Sequence, residues 1–441
     1  MELKTNSFKD PKSSVFEDEH GKIFRTLPFE KSIYEQFDFF SRIIDVHPNG
    51  LYEIEKVPFI LSPQEFSLST YIDSGLFYLK CLRQALEKGH SFNDASPSNI
   101  AYVGKGEFKF FDLGSLTKYD PALGWEGYRQ FIVEWICPIF YIHDKQQFFP
   151  TELIYTLNNS EWYYVHKFSL SKRLNPINNL YFSFLHKNKR KSFKNTNGNS
   201  KPKITINQVN NVITLLESTL NKYRPKIKNS KWGNYYSKTV LQDGYPEKKK
   251  SVITDIIRSI SINGEFEKRV YCDWGANTGE YSKLITSNDL EALVISLESD
   301  HNAITENWNI SYTHSIIPCF ASILNPTPSI NFDNCNPSLT IRLQNTVCVI
   351  LALGLIHHMQ HEINLSFSKI IDYFSETSVP NAHLIIEFID PTDERYRTIE
   401  NINYPHPKDI ASFEVSLKNK YSILKKYSVS ATRTLYHAQK L

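Results

Sequence analysis

From Arg269 to the C-terminus, short apolar runs alternate with helix-length amphipathic segments. RVYCDW (269–274), ALVISLE (292–298), SIIPCF (315–320), CVILALG (348–354) and HLIIEFI (383–389) are rich in branched residues and nearly free of polar positions. Runs of this length and texture predict parallel strands buried on both faces, with helices as the crossovers between them. SILKKYSVS (422–430) and TRTLYHAQ (432–439) follow each other without room for a crossover, which predicts a terminal hairpin. Five parallel strands closed by an antiparallel pair make an α/β, Rossmann-like, doubly wound sheet of seven strands.

The N-terminal half has a different texture, with short strand-like and helical pieces in mixed order, as in an α+β domain. Apolar positions Val209, Val212, Ile213, Leu216 and Leu220 recur at helical spacing and predict a helix over 206–223. Between the halves, KNKRKSFKNTNGNSKPK (187–203) is basic and poor in apolar residues, and reads as a solvated surface loop. The expected division is a first domain over 1–225, carrying that loop, and a second over 226–441.

Composition narrows the classes. A chain of 441 residues is long enough for two or three domains, and its 41% apolar content suffices for real cores. Its net charge of +3 asks for neither nucleic acid nor an anionic membrane as partner. No run approaches the roughly 20 apolar residues of a bilayer span, and MELKTNSFKDPKSS lacks the apolar centre of a secretory signal. The six cysteines show no CxxC pair, so free buried thiols in a reducing cytoplasm are expected, with no metal site.

The first strand of the second half runs into Asp273-Trp-Gly-Ala-Asn-Thr-Gly279, and the helix-like EYSKLI follows. Glycines at 275 and 279 allow a sharp turn and close approach of a ligand to the backbone. Nineteen residues beyond Gly279 the second strand ends in Glu298, where a ribose-binding acid belongs. The spacing is not the GxGxxG of dinucleotide sites. With the terminal hairpin, it makes this half resemble the class I S-adenosylmethionine (SAM)-dependent methyltransferases.

More narrowly, the text resembles a two-domain bacterial group that includes the nodulation methyltransferase acting on a fucose of Nod factors. The shared segments are Phe24-Arg25, DASPSN (94–99), FFDLGS (110–115), WGNY (232–235) and DWGANTGEYS (273–282), then LALGLIHHM (351–359), IIEFIDPTDERY (385–396) and TRTLY (432–436). The resemblance implies SAM as cofactor, with Asp273, Gly275, Asn277 and Gly279 along its methionine and ribose and Glu298 on the ribose hydroxyls. Two positions depart from the group's pattern: Ser322 replaces an acid before Asn325-Pro326, and Cys348 replaces an Asp at the fourth strand's start.

An alcohol acceptor needs its proton removed, and an imidazole suits that task near neutral pH. His357 and His358 follow the fourth strand directly, at the edge where such sheets bind ligands. One of them is the candidate base, and sequence does not separate the two. The alternative is that one caps a helix and the other packs in the core. Glu387 and Asp390 are placed to face the same crevice, whereas Asp390 and Asp393 read more simply as loop acids and Arg433 and Tyr436 as packing residues. The acceptor expected from this reading is a hydroxyl on a small molecule or glycan.

A second constellation lies in the first half. Asp94-x4-Asn99 followed by Asp112-Leu-Gly114 resembles the catalytic and metal-binding loops of kinase-like folds, in which the acids and the Asn handle a hydroxyl and magnesium. The rest of that apparatus is poor: Gly21 and Gly50 are the only glycines in the first 70 residues, and Arg25 stands where a phosphate-pairing Lys would be. An atypical active kinase with the second domain as a SAM sensor, a binding relic and a purely structural relic remain open.

Overall fold

The computed structural model describes residues 2–3, 14–145, 203–226 and 244–441, apart from positions 20, 49, 264–265, 267–268, 331–335, 345, 400 and 402. The basic segment (187–203, save Lys203) and WGNY at 232–235 lie outside the described residues. The chain forms two compact units, Met1–Tyr102 with Phe108–Lys226, and Ile227–Leu441 with Val103–Glu107.

In the first unit, five short antiparallel strands form one sheet in the order Glu2–Leu3, Val15–Glu17, Ile23–Arg25, Tyr52–Ile54, Ile43–Val46. The helix Leu68–Glu87 follows, its first turn closed by Ser67, whose hydroxyl accepts from the Thr70 amide at 3.1 Å. Two small pairs come next: His90–Phe92 antiparallel to Leu116–Lys118, and Ile100–Gly104 with Glu107–Phe110, of which Val103–Glu107 counts with the second unit. The core is aromatic. Phe39, Phe40, Tyr78, Phe92, Phe110 and Trp135 are buried, and the Phe92 and Phe110 rings stack with centroids 4.8 Å apart. The expected helix is present as Ile206–Lys222, opened by a capping box between Thr205 and Gln208. It buries Val209, Ile213, Leu216 and Leu220, the 3.6-residue pattern seen in the sequence.

The second unit contains the expected seven-stranded sheet. Its strands are β1 (Val270–Trp274), β2 (Leu293–Glu298), β3 (Ile316–Phe320), β4 (Val349–Ala352), β5 (His383–Ile389), β6 (Tyr421–Ser428) and β7 (Arg433–Lys440). They lie in the order β3-β2-β1-β4-β5-β7-β6; β1 to β5 are parallel, and β7 is antiparallel to both neighbours. Every residue of β1, β3, β4 and β5 is buried, which is why those runs carry no alternation. β6 is the solvated edge, with Lys425 and Lys426 exposed along it, a charge pattern that discourages further strand pairing.

Helices α1 (Tyr245–Asn263), α2 (Glu280–Asn288), α3 (His301–Ser311), α4 (Ile356–Ile363) and α5 (Phe367–Glu376) connect or flank these strands. Strand order reverses between β1 and β4, so the loops at their carboxyl ends part there and leave a crevice. Cys81, Cys137, Cys272, Cys319 and Cys348 are buried and form no disulfide among the described residues. Cys348 is structural: its sulfur lies 3.2 Å from the Val270 amide and 3.3 Å from the Val270 carbonyl. No helix among the described residues is long and apolar enough to cross a membrane.

Candidate functional site

A cavity of about 470 Å³ opens at the carboxyl edge of the second unit's sheet. The β1–α2 loop forms part of its wall. Gly275, Asn277 and Gly279 adopt left-handed φ of +69°, +54° and +87°. At Gly279 a Cβ would come within 2.9 Å of the Asn307 side chain, so conformation and space both demand glycine there. This coil turns the Asn277 amide toward Glu298, whose Oε2 accepts from it at 2.8 Å. Glu298 Oε1 accepts from the Ser299 and Asp300 amides, each at 2.7 Å. Burial pushes the Glu298 carboxyl above its ordinary pKa, and the three amides oppose that shift. Gly275, Asn277 and Glu298 line the cavity.

Asp273 and Gly279 stand behind it. The Asp273 carboxylate accepts from Ser282 Oγ at 2.6 Å, and Ser282 Oγ lies 3.0 Å from Ser296 Oγ. Asp273 is 2% exposed, and burial pushes its carboxyl up to about 6. It ties β1, β2 and α2 together beneath the loop. Ser322, one of the departures noted above, lines the cavity near the β3 end.

Helical geometry separates the two histidines. His358 and Glu362 are one turn apart on α4 and both line the cavity, with His358 Nδ1 2.9 Å from Glu362 Oε1. His357 is rotated by one residue into the interior, where it is 6% exposed and stacks with Tyr396 at a ring separation of 6.1 Å. Its Nδ1 has no hydrogen-bond partner among the described residues. Burial, with His358 and Arg433 adding to it, holds its pKa well below the ordinary histidine value.

The opposite wall is built by residues that sequence reading left without a common role. Glu387, in β5, is fully buried and accepts from Lys249 Nζ at 2.7 Å and from the Tyr245 hydroxyl. The Tyr245 oxygen in turn accepts from Arg433 Nη1 at 3.0 Å, and Arg433 binds Asp393 through Nε at 2.9 Å and Nη2 at 3.1 Å. Burial opposes ionisation of Glu387, but Lys249 and Arg433 outweigh it and hold the carboxyl below its ordinary pKa. Tyr245, Lys249, Glu387 and Arg433 all line the cavity. The pair Tyr245 and Lys249 is visible as an i,i+4 spacing, but its link to β5 and β7 crosses more than a hundred residues. Asp390 caps its own turn by accepting from Thr392, and Tyr436 donates to Glu414 at 2.8 Å, the simpler roles expected for both.

In the first unit, Asp112 is ion-paired to Arg25 at 2.7 Å. Asp94 Oδ1 accepts from the Ser96 amide at 2.9 Å, and Asn99, 9% exposed, has no partner for Nδ2 among the described residues. The Asn99 carbonyl accepts from the Phe111 amide at 3.1 Å, which brings the two loops together. Gln130 and Trp135 hold the first loop through the Ala95 amide and carbonyl, at 2.9 and 2.6 Å. Glu134, in a π-helical stretch over Ile132–Ile136, is pushed up to about 7 by burial.

No family model matches the chain, and no curated protein matches it. Solved structures do. Magnesium protoporphyrin IX methyltransferase (ChlM) from Synechocystis PCC 6803 with bound SAM matches at 12% identity over 48% of this chain and 89% of that one, with a TM-score of 0.31. The antibiotic-resistance methyltransferase Kmr matches at 10% identity over 42% and 93%, with a TM-score of 0.30. The bifunctional kinase-methyltransferase WbdD matches at 11% identity over 51% and 45%, with a TM-score of 0.33.

Proposed function

We propose that the second unit is a SAM-dependent methyltransferase that methylates a hydroxyl on a small molecule or glycan. The observation that carries this reading is one cavity joining the Asn277–Glu298 loop to the His358–Glu362 pair. The residues present suit the cofactor. A carboxylate fixed by three backbone amides at the end of β2 suits a ribose diol, and the left-handed loop leaves room for a chain lying along it. Three basic residues (Lys249, Lys250, Arg433) and five acids (Glu247, Glu280, Glu298, Glu362, Glu387) line the cavity, an excess of negative charge that favours a sulfonium.

When bound, SAM supplies the activated methyl on its sulfonium. Glu298 and the amides of 275–279 position the donor, while Asp273 braces the loop from behind. With Nδ1–H donated to Glu362, the His358 Nε2 keeps its lone pair and removes the acceptor's proton as the methyl transfers. His357 has no part in this step. Calorimetry with S-adenosylhomocysteine and assay of methyl transfer from labelled SAM test the assignment. Glu298→Ala should weaken nucleoside binding by about 10-fold or more. His358→Ala should leave that binding within about twofold and lower transfer about 10²- to 10⁴-fold. Full activity of the His358 variant removes it as base.

For the first unit we propose a nucleotide- or substrate-binding relic. The Arg25–Asp112 pair is the reason, since it occupies the carboxylate that a kinase-like site would offer to magnesium. Phosphoryl transfer from ATP-Mg that disappears in Asp112→Ala would instead restore the phosphotransferase reading.

A further inference from the structure

The wall formed by α1, β5 and β7 goes unused by the nucleoside-binding residues and by the His358–Glu362 pair. Arg433, at the start of β7, is 7% exposed and yet lines the cavity. A guanidinium carries five N–H groups. Nε and one N–H of Nη2 go to Asp393, at 2.9 and 3.1 Å, and one N–H of Nη1 goes to Tyr245, at 3.0 Å. One N–H on each terminal nitrogen is therefore left with no partner among the described residues.

The group is held in place. Thr432 donates to Asp393 at 2.7 Å, and the guanidinium carbon lies 5.0 Å from the centroid of the Tyr245 ring. The charges of Lys249 and Arg433 are matched by those of Glu387 and Asp393, so an entering anion meets fixed donors and no net local repulsion. Buried donors without partners are unfavourable, and a ligand oxygen that satisfies them is bound all the more strongly.

We propose that Arg433 is an oxyanion-binding residue of this cavity, gripping a carboxylate- or phosphate-type group with one N–H from each terminal nitrogen. The inference rests on the reading of the cavity as a SAM site. Two sources carry the required chemistry: the α-carboxylate of the donor, and an anionic substituent on the acceptor. Titration of the full chain with S-adenosylhomocysteine and with 5′-methylthioadenosine, which lacks the amino-acid part, distinguishes them.

If the donor supplies the carboxylate, Arg433→Gln weakens S-adenosylhomocysteine by about 10- to 100-fold and 5′-methylthioadenosine by less than about twofold. If the acceptor supplies it, both nucleosides bind the variant normally. The wild-type chain saturated with S-adenosylhomocysteine then binds inorganic phosphate, and Arg433→Gln abolishes that binding. Arg433→Lys keeps the charge beside Asp393 but not the fork, and should lose the same oxyanion without unfolding. Equal loss of both nucleosides in Arg433→Lys overturns the proposal, as does unchanged nucleoside binding with no Arg433-dependent phosphate binding. Glu298→Gln should weaken both nucleosides; if it weakens neither, the nucleoside placement fails while the Arg433 result still stands.

Discussion

Arg25 binds Asp112 at 2.7 Å in the first unit, and Arg433 binds Asp393 at 2.9 Å in the second. The chemistry is the same and the consequences differ. Asp112 is itself the group that the loop pattern marks for function, and Arg25 holds one of its carboxylate oxygens. Asp393 does not line the cavity; it anchors Arg433, which does. Glu387 shows a third arrangement, in which a carboxylate on the cavity wall stays ionised because Lys249 and Arg433 outweigh its burial. In the first unit the pair engages the candidate group itself, and in the second it fixes a residue beside the cavity. Ion pairing alone reports neither stability nor function.

The most severe way to break this comparison is to remove the shared anion of the second unit. Glu387→Ala leaves Lys249 and Arg433 buried with half their compensation, and should cost about 3–5 kcal/mol in chemical denaturation of the second unit. A loss below about 1 kcal/mol would mean that water or rearrangement replaces the carboxylate and that the wall is not rigid.

The next effect concerns pH. Asp273 has a folded pKa of about 6, against about 3.9 in an unfolded chain, so between those values the folded state binds more protons. By linkage its stability falls as pH rises from about 4 to 6, by an amount on the order of 2 kcal/mol. Asp273→Asn should remove that slope relative to wild type, and an unchanged difference across the range would assign the buried proton elsewhere. The smallest effect belongs to the first unit. Arg25→Met should lower its stability by about 1–2 kcal/mol, because both partners are mostly but not fully shielded, and should leave S-adenosylhomocysteine binding unchanged. Weakened nucleoside binding in that variant would show that the two sites are coupled.

The second unit's sheet was legible because its buried strands are short, unbroken and separated by helix-length segments, a pattern set by local burial. The loop from Asp273 to Gly279 and the acid at 298 were legible for the same reason, since glycine positions and strand ends are local features. The roles of individual side chains were less so. Asp273 reads as a ligand residue but turns inward to Ser282, and Arg433 reads as packing but reaches the cavity. In the first unit, strands of three residues carry too little periodicity to reveal their sheet, although the apolar stripe from Val209 to Leu220 revealed the helix Ile206–Lys222.

By itself the sequence determined the strand and helix succession, the turn that needs left-handed backbone at 275–279, and the candidate pair at 357–358. Those depend on contacts within a few residues, where spacing and chemistry are enough. Tertiary structure decided which histidine faces the cavity, that Asp273 turns to Ser282, that Arg25 pairs with Asp112, and that Tyr245, Lys249, Glu387 and Arg433 form one wall. Each of these joins side chains from separate elements or depends on how a helix is rotated against its neighbours. Only packing of the whole unit sets those relations.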